Sequence, residues 1–435
     1  MQKSNFIKRI VYSIVICLFC SNIMVAQETD AMSTYTPYSL YGLGEIEKQG
    51  TAFNKSMGGI GVGVRDNRFI NYLNPASITA RDTLAFMLDF GAASKNFYNK
   101  DTKGVSSAYN TFTVQNFIFT APIYKKSAII VGVSPYSNIG YKFRSVERDP
   151  DLILNYGDIA YEKYGIGSIN QVFFGAAMDF FKHFSVGAEL VYYFGDLERH
   201  SDVVYTTNGT VSSVENGWDY SVGALGGRVG LQYFTKLGKD KELTLGAAYR
   251  FGVDLKGELT RYSHSVTDSQ IDTVYTSTND KYIQRIPGEL SFGASFKKRD
   301  KWMVGVDYTR QDWTNSNLAE ISDVGYKPAA ASSIRVGFEY IPNKYDIRYY
   351  LKRVTYRIGA YYDKTNVSMY GNQVGAAGIT IGSSFPIYRL YNALNWSLDL
   401  GQRGSLKNGM VKEFYFQVHI NVSLHDIWFV KKKYQ

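Results

Sequence analysis

The chain has 435 residues, and its 48 lysines and arginines against 39 acids give a formal net charge of +9. Basic residues are scattered among acidic ones, so no nucleic-acid face is indicated; only Lys431–Lys433 forms a basic run, and it reads as a solvated tail. Beyond the N-terminus no stretch approaches 18 consecutive apolar residues, which excludes a helical membrane protein.

Aromatics nevertheless make up 15% of the chain, with 36 tyrosines and only 9 prolines. Tyrosine concentrates where one end of a side chain is apolar and the other wet, as in the girdles of membrane barrels. Residues 1–26 read as an export signal: Lys3, Lys8 and Arg9, then the apolar run Ile10–Phe19, then Ala26 ahead of the cut before Gln27. Both cysteines, Cys17 and Cys20, fall inside it, preceded by the bulky Ile16 and Phe19 rather than a lipoprotein's small residues. The mature chain is therefore expected to have no thiol, no disulfide and no cysteine metal site.

Residues 27–81 are rich in Gly, Asn, Pro and Ser, with Met57-Gly58-Gly59 opening a glycine run to Gly63 and Asn74-Pro75-Ala76 near the end. No helix or strand period holds there, but the aromatics and glycines argue for an ordered segment packed against something. The run lacks the strand, helix and lysine of a phosphate loop, and close packing of backbone explains it better.

From Asp82 to Leu424 the sequence predicts fourteen strands. They are Asp82–Ala93, Tyr109–Ile123, Lys126–Ser137, Ile169–Phe181, Phe184–Arg199, Trp218–Leu237 and Lys241–Leu259, followed by Ile283–Lys297, Lys301–Trp313, Ala331–Ile341, Val354–Asp363, Gly375–Phe385, Ala393–Arg403 and Val411–Leu424. The last is the clearest: Phe414, Phe416, Val418, Ile420, Val422 and Leu424 alternate with Glu413, Tyr415, Gln417, His419, Asn421 and Ser423. Period two puts these on opposite faces, an oily one and a wet one. Links alternate between tight (Lys182-His183, Gly238–Asp240, Lys298–Asp300) and long (Asn138–Ser168, His200–Gly217, Thr260–Tyr282, Thr314–Ala330). Outer-membrane barrels show this alternation, and an even strand count then places both termini in the periplasm. The long link Pro342–Arg353 breaks the pattern.

The fold class is thus an all-β transmembrane antiparallel barrel whose closure leaves no bare edge in lipid. Its inward charges, Glu189, Arg250, Asp307, Arg335, Glu339, Arg357 and Asp399, are expected to pair across the lumen, with His419 a lumen hydrogen-bonder. No two of the five histidines have metal-ligand spacing, and Ser423 lies roughly 13 Å along the strand from His419, so neither a metal, a cofactor nor an enzyme is indicated.

With this architecture, Met57-Gly58-Gly59 leading to Asn74-Pro75-Ala76, and Arg357-Ile358-Gly359-Ala360-Tyr361-Tyr362-Asp363 in a late strand, the chain resembles the FadL/TodX family of outer-membrane channels for long-chain fatty acids and other hydrophobic compounds. The resemblance implies that residues 27–81 are a hatch plugging the lumen, with those two motifs as its gating residues. It also implies passive uptake of a hydrophobic small molecule and a lateral exit into the bilayer at the third strand. Gly132 and Pro135 stand at that place here, and proline cannot donate to a sheet ladder. Tyr141, Tyr156, Tyr161 and Tyr164 form an expected capture surface in the outer loops. Residues 425–435, with Trp428-Phe429, are expected to form a periplasmic tail. The other reading is an accessory or scaffold barrel of an outer-membrane secretion or assembly complex, docking partner proteins through that tail and the link Pro342–Arg353.

Overall fold

The computed structural model describes residues 32–81, 85–124, 126–205, 212–267, 270–322, 325–387, 392–407 and 410–427. The chain separates into two compact units, residues 1–32 and 33–435, and the second is described below. The expected signal segment with Cys17 and Cys20, and the tail residues Trp428, Phe429 and Lys431–Lys433, lie outside the described residues.

Fourteen strands form one closed antiparallel barrel. They are β1 (Ala85–Lys100), β2 (Ser106–Tyr124), β3 (Ser127–Val146), β4 (Ile159–Phe180), β5 (Phe184–Tyr205), β6 (Ser213–Leu237), β7 (Lys241–Arg250 resuming as Val253–Val266) and β8 (Ile271–Ile286 resuming as Glu289–Lys298). Then follow β9 (Trp302–Asp312), β10 (Ala330–Tyr340), β11 (Thr355–Met369), β12 (Asn372–Pro386), β13 (Ala393–Arg403) and β14 (Lys412–Ile427). Closure is made by β14 on β1, paired from Lys412 opposite Lys100 to Ile427 opposite Ala85. His425–Ile427, expected in the tail, therefore belong to the last strand.

Alternation places the oily face outward, as a wall standing in lipid requires. Phe292, Val306, Ile334, Ile358, Ile381 and Ile420 are exposed on the outside, while Asp307, Arg357, Asp399 and His419 are buried on the inside. Two breaks reverse the parity. At Phe251-Gly252 the inward set passes from Thr244 and Arg250 to Val253, Leu255 and Leu259, and at Pro287-Gly288 from Gln284 and Ile286 to Ser291 and Ser295. Irregular pairs of this kind behave as bulges, re-aiming the chain at a barrel rim. Val253 is inward for this reason.

The long links were expected to be loops, but much of them continues the wall. β3 runs on to Val146, β5 to Tyr205 and β7 to Val266. Above the bilayer both faces of a strand are wet, so hydrophobic alternation disappears while the ladder persists; Ile271–Tyr282 is almost entirely exposed yet paired with β7. Between β11 and β12 the link is only Tyr370-Gly371, at φ 47° and 76°, the left-handed pair that a tight hairpin demands. At the opposite end 181–183, 238–240 and 299–301 are tight turns, and 341–354 is an ordered rim segment containing a short 3-10 helix, Tyr350–Lys352.

Candidate functional site: the hatch and the wall it seals

Residues 33–81 fill the lumen as a coil pinned by short elements: 3-10 turns at Pro37–Leu40 and Pro75–Ala80, a helical turn at Ala52–Lys55 and a two-residue strand, Glu45–Ile46. Local sequence explains each. Thr36 and Asn74 accept from the amides of Tyr38 and Ala76, and a proline opens the turn that follows each of them. Gly58 and Gly59 take φ +71° and +89° after Met57, turning the chain back where it meets the wall.

The wall is cut to receive this backbone. A methyl on Gly359 would lie 2.2 Å from the Gly58 nitrogen, on Gly337 2.6 Å from the Met57 oxygen, and on Gly246 2.0 Å from the Val62 oxygen. The same holds for Gly293 against Gly63 and for Gly187 against Pro75 and Ala76, while Gly230 makes room for the Asn74 and Pro75 side chains. These glycines align across strands: Gly187 faces Gly230, Gly246 faces Gly293, and Gly305, Gly337 and Gly359 stand in one row. Between β5 and β11 the lumen face is a glycine seat for hatch backbone.

Polar groups rivet the hatch to the remaining strands. Asp307 accepts from the amides of Gly61 and Val62 at 2.6 and 2.8 Å, and Thr380 accepts from Gly58 at 2.7 Å. Arg68 reaches Glu339 at 2.5 Å, which Arg357 holds from the wall at 2.8 Å. Lys48 meets Asp399 at 2.8 Å and lies 3.4 Å above the Tyr361 ring. Glu45 meets Arg403 and Glu47 meets Lys95, both at 2.5 Å, with Lys55 3.7 Å from Glu47. The Arg403 guanidinium holds the Glu45 carboxyl well below the usual carboxylate range against the opposing effect of burial. Burial pushes the Lys55 ammonium down to about 8, and Glu47 only partly offsets it.

The ladder between β2 and β3 is incomplete. It runs from Tyr124 opposite Ser127 to Phe117 opposite Val133 and stops. Above it β2 remains paired with β1, and β3 with β4 as far as Val146. The free edge of β3 is taken by the hatch. Glu45 and Ile46 stand opposite Asn138 and Ser137, and the Glu47 and Thr36 amides donate to Tyr136 and Gly140, each at 2.9 Å. On the β2 side Tyr35 stacks on Tyr109 at 4.0 Å, and Thr111 donates to the Ser33 carbonyl at 3.4 Å. Along this part of β3 the N-terminal segment thus takes the place of β2.

Inward residues of β3 to β8, among them Tyr136, Ile169, Phe173, Tyr193, Leu255 and Ile286, form one apolar cluster with Leu43, Ile70 and Tyr72 of the hatch. Beside it lies a cavity of about 210 Å³ lined both by Tyr136 and Trp313 of that cluster and by charged groups that include Glu45, Lys48, Arg335, Asp363 and Arg403.

The residues singled out in the sequence are distributed around this assembly. Met57, Gly58, Gly59, Asn74, Pro75 and Ala76 all sit at the hatch–wall contact; Asn74 donates to the Val62, Leu231 and Ala247 carbonyls, and Ala76 accepts from Ser185 at 2.7 Å. Pro135 lies just past the last β2–β3 pair, opposite Asn170 of β4 only, with its carbonyl accepting from Gln49 at 3.0 Å. Gly132 does not lie in the opening: it is paired with Ile118 and Phe173, and its bare Cα accommodates the Phe173 ring. The inward charges pair mainly with the hatch or with neighbouring strands rather than across the lumen, because the hatch occupies the space between. Glu189 meets Arg228 at 3.5 Å, Arg250 meets Glu289 at 2.9 Å, Arg335 lies 3.9 Å from Asp363, and His419 is buried. Tyr141 is buried inside, while Tyr156 and Tyr161 are exposed and Tyr164 stacks on His200. Sequence reading missed the hatch strand Glu45–Ile46, too short to show a period, and its partners Lys95 and Arg403, which lie in predicted or extended strands without a distinguishing motif.

A model of the family described as BamG matches residues 6–435 of the chain. Among curated proteins none matches in sequence. Solved structures share the fold. The toluene transporter TodX of P. putida is 16% identical with a TM-score of 0.58, over 88% of this chain and 99% of that one. The CymD monoaromatic hydrocarbon channel gives 16% and 0.57 over 89% and 99%, and the Ralstonia pickettii toluene transporter TbuX 16% and 0.55 over 86% and 98%. The likeness to FadL/TodX proteins read from the motifs therefore stands at the level of fold, while the family model that matches is a different one.

Proposed function

The chain belongs to the BamG family, and from that premise and its barrel we propose that it is an outer-membrane channel for passive entry of hydrophobic small molecules, gated by its hatch. One observation carries this reading: the opening between β2 and β3 is backed by the apolar cluster of β3 to β8 and, among the described residues, is covered by the hatch. An apolar solute moving along that side of the lumen would meet the gap and pass sideways into the bilayer. In this orientation the tight turns, and with them the start of β1 and the end of β14, face the periplasm, whereas Tyr38 and Tyr41 of the hatch pack at the opposite end against Tyr326, Met369 and Met410. Transporters and channels of toluene and other monoaromatic hydrocarbons with the same fold support the substrate class.

The test is Pro135→Val, which restores an amide where the β2 ladder would resume. Uptake of a fluorescent long-chain fatty acid by cells should fall while barrel abundance stays normal. Unchanged uptake at normal abundance counts against the lateral route.

A second reading, a non-conducting accessory barrel within an outer-membrane assembly, is favoured by the seat of glycines and buried ion pairs, which hold the hatch from many strands at once. Stoichiometric partner proteins that survive detergent extraction, with no co-purifying lipid, support it over transport.

A further inference from the structure

The outer wall above the bilayer carries a cluster that the channel reading does not use. Glu198 and His200 are two residues apart on one face of β5, and Asp219 of β6 stands directly opposite Glu198 in the ladder. One ligand atom from each lies within 4.8 Å of the others. Like charges directly opposed on a sheet repel one another, so the pairing of Glu198 with Asp219 calls for a cation between them. His200 Nε2 is 3.9 Å from Glu198. Asp219 Oδ1 is shielded from solvent and has no hydrogen-bond partner.

The imidazole is held as a ligand's would be. Its Nδ1 is 3.1 Å from the Tyr262 hydroxyl of β7, and Tyr164 of β4 stacks on the ring at 4.2 Å and 10°. Those contacts fix the ring plane and engage one nitrogen, leaving Nε2 turned to the carboxylates. An outer partner on the second nitrogen is the usual arrangement at metal-bound histidine. The set of one imidazole nitrogen and two carboxylate oxygens, with room for water as a fourth ligand, suits Zn²⁺; Ca²⁺ and Mg²⁺ prefer all-oxygen shells.

The geometry points to a divalent transition-metal site, Zn²⁺ by its donors, formed by Glu198, His200 and Asp219 and tying β5 to β6 on the exterior of the barrel. Single-sequence spacing could not reveal it, because only strand pairing brings Asp219 to the other two. Binding needs each ligand atom to close by about an ångström, within the reach of side-chain rotation, since zinc ligands sit about 2.0–2.2 Å from the metal.

The test is calorimetric titration of the detergent-purified full barrel, prepared without a histidine tag, with Zn²⁺ alone and then Mg²⁺ alone. One equivalent of Zn²⁺ should bind, and much more tightly than Mg²⁺. His200→Ala and Asp219→Asn should each weaken it at least tenfold, and Tyr262→Phe should weaken it about 10- to 100-fold through loss of ring orientation. His183→Ala, in the opposite rim's turn, should leave it unchanged. Heat-modifiable migration on gels confirms that each variant is a folded barrel. Absence of a stoichiometric site, binding indifferent to both ligand variants, dependence on His183, or equal affinity for Mg²⁺ would each overturn the proposal.

Discussion

Replacing Gly246 by alanine tests whether the wall is shaped around the hatch. The new Cβ would lie 2.0 Å from the Val62 carbonyl oxygen, about 1.4 Å inside the 3.4 Å at which ordinary contact begins, and 2.7 Å from the carbonyl carbon. Both are backbone atoms, so the strain cannot be relieved by turning a side chain. The same oxygen accepts from Gln232 and Asn74, each at 3.0 Å. Displacing it by an ångström stretches both bonds beyond useful length. Overpacking costs about 1–3 kcal/mol and each lost hydrogen bond about 1 kcal/mol net, so the hatch should be destabilised by on the order of 3 kcal/mol. The ladder at Gly246, opposite Gln232 and Gly293, needs no change, so the barrel itself should persist. Amide exchange in residues 50–75 should then speed up by roughly a hundredfold against unaltered strand exchange, 1.4 kcal/mol being a factor of ten. Gly227→Ala is the control, since its Cβ would meet nothing closer than 3.4 Å. Equal hatch protection in both variants would refute the idea of a fitted seat.

Arg403→Met strands the buried Glu45 and Glu413 carboxylates, 2.5 and 3.6 Å from the guanidinium, and should cost about 3–5 kcal/mol, read as a lower temperature for hatch proteolysis. Because burial lowers the Lys55 ammonium to about 8 from its unfolded 10.5, the unfolded hatch binds more protons across that interval. Hatch protection should therefore rise with pH between 8 and 10.5, and Lys55→Met should flatten the rise; protection falling over that range would contradict the assignment. Glu45 runs the other way: its depressed carboxyl contributes stability that is fully present above the ordinary value of 4.5 and is lost as pH falls further, so acid should loosen the hatch in a manner absent from Glu45→Gln.

The barrel was legible because lipid leaves a strand little choice: Phe414 to Leu424 must alternate, and the structure keeps that alternation along β14. Legibility failed where lipid stops. The upper parts of β5, β7 and β8 carry polar residues on both faces, so their ladder left no trace in hydrophobic period. The glycines of the irregular segment point to close backbone packing, but a sequence cannot show that the other side of that contact lies in Gly187, Gly230, Gly246, Gly293, Gly337 and Gly359 of the wall. Pro135, which lacks an amide to donate, lies just past the last β2–β3 pair. Gly132 misled, since its purpose is to admit the Phe173 ring within an intact part of the sheet.

On the proposed reading, hatch strand Glu45–Ile46 is the stopper of the opening between β2 and β3. Ile46 and Ser137 stand opposite one another, and the chain's own cysteines, Cys17 and Cys20, fall in the predicted signal segment, so Ile46→Cys with Ser137→Cys allows the stopper to be locked by oxidation and released by reduction. Uptake of a fluorescent fatty acid should be lost in the oxidised protein and return on reduction. Equal uptake in the two states, with the crosslink shown to be complete, would contradict the account.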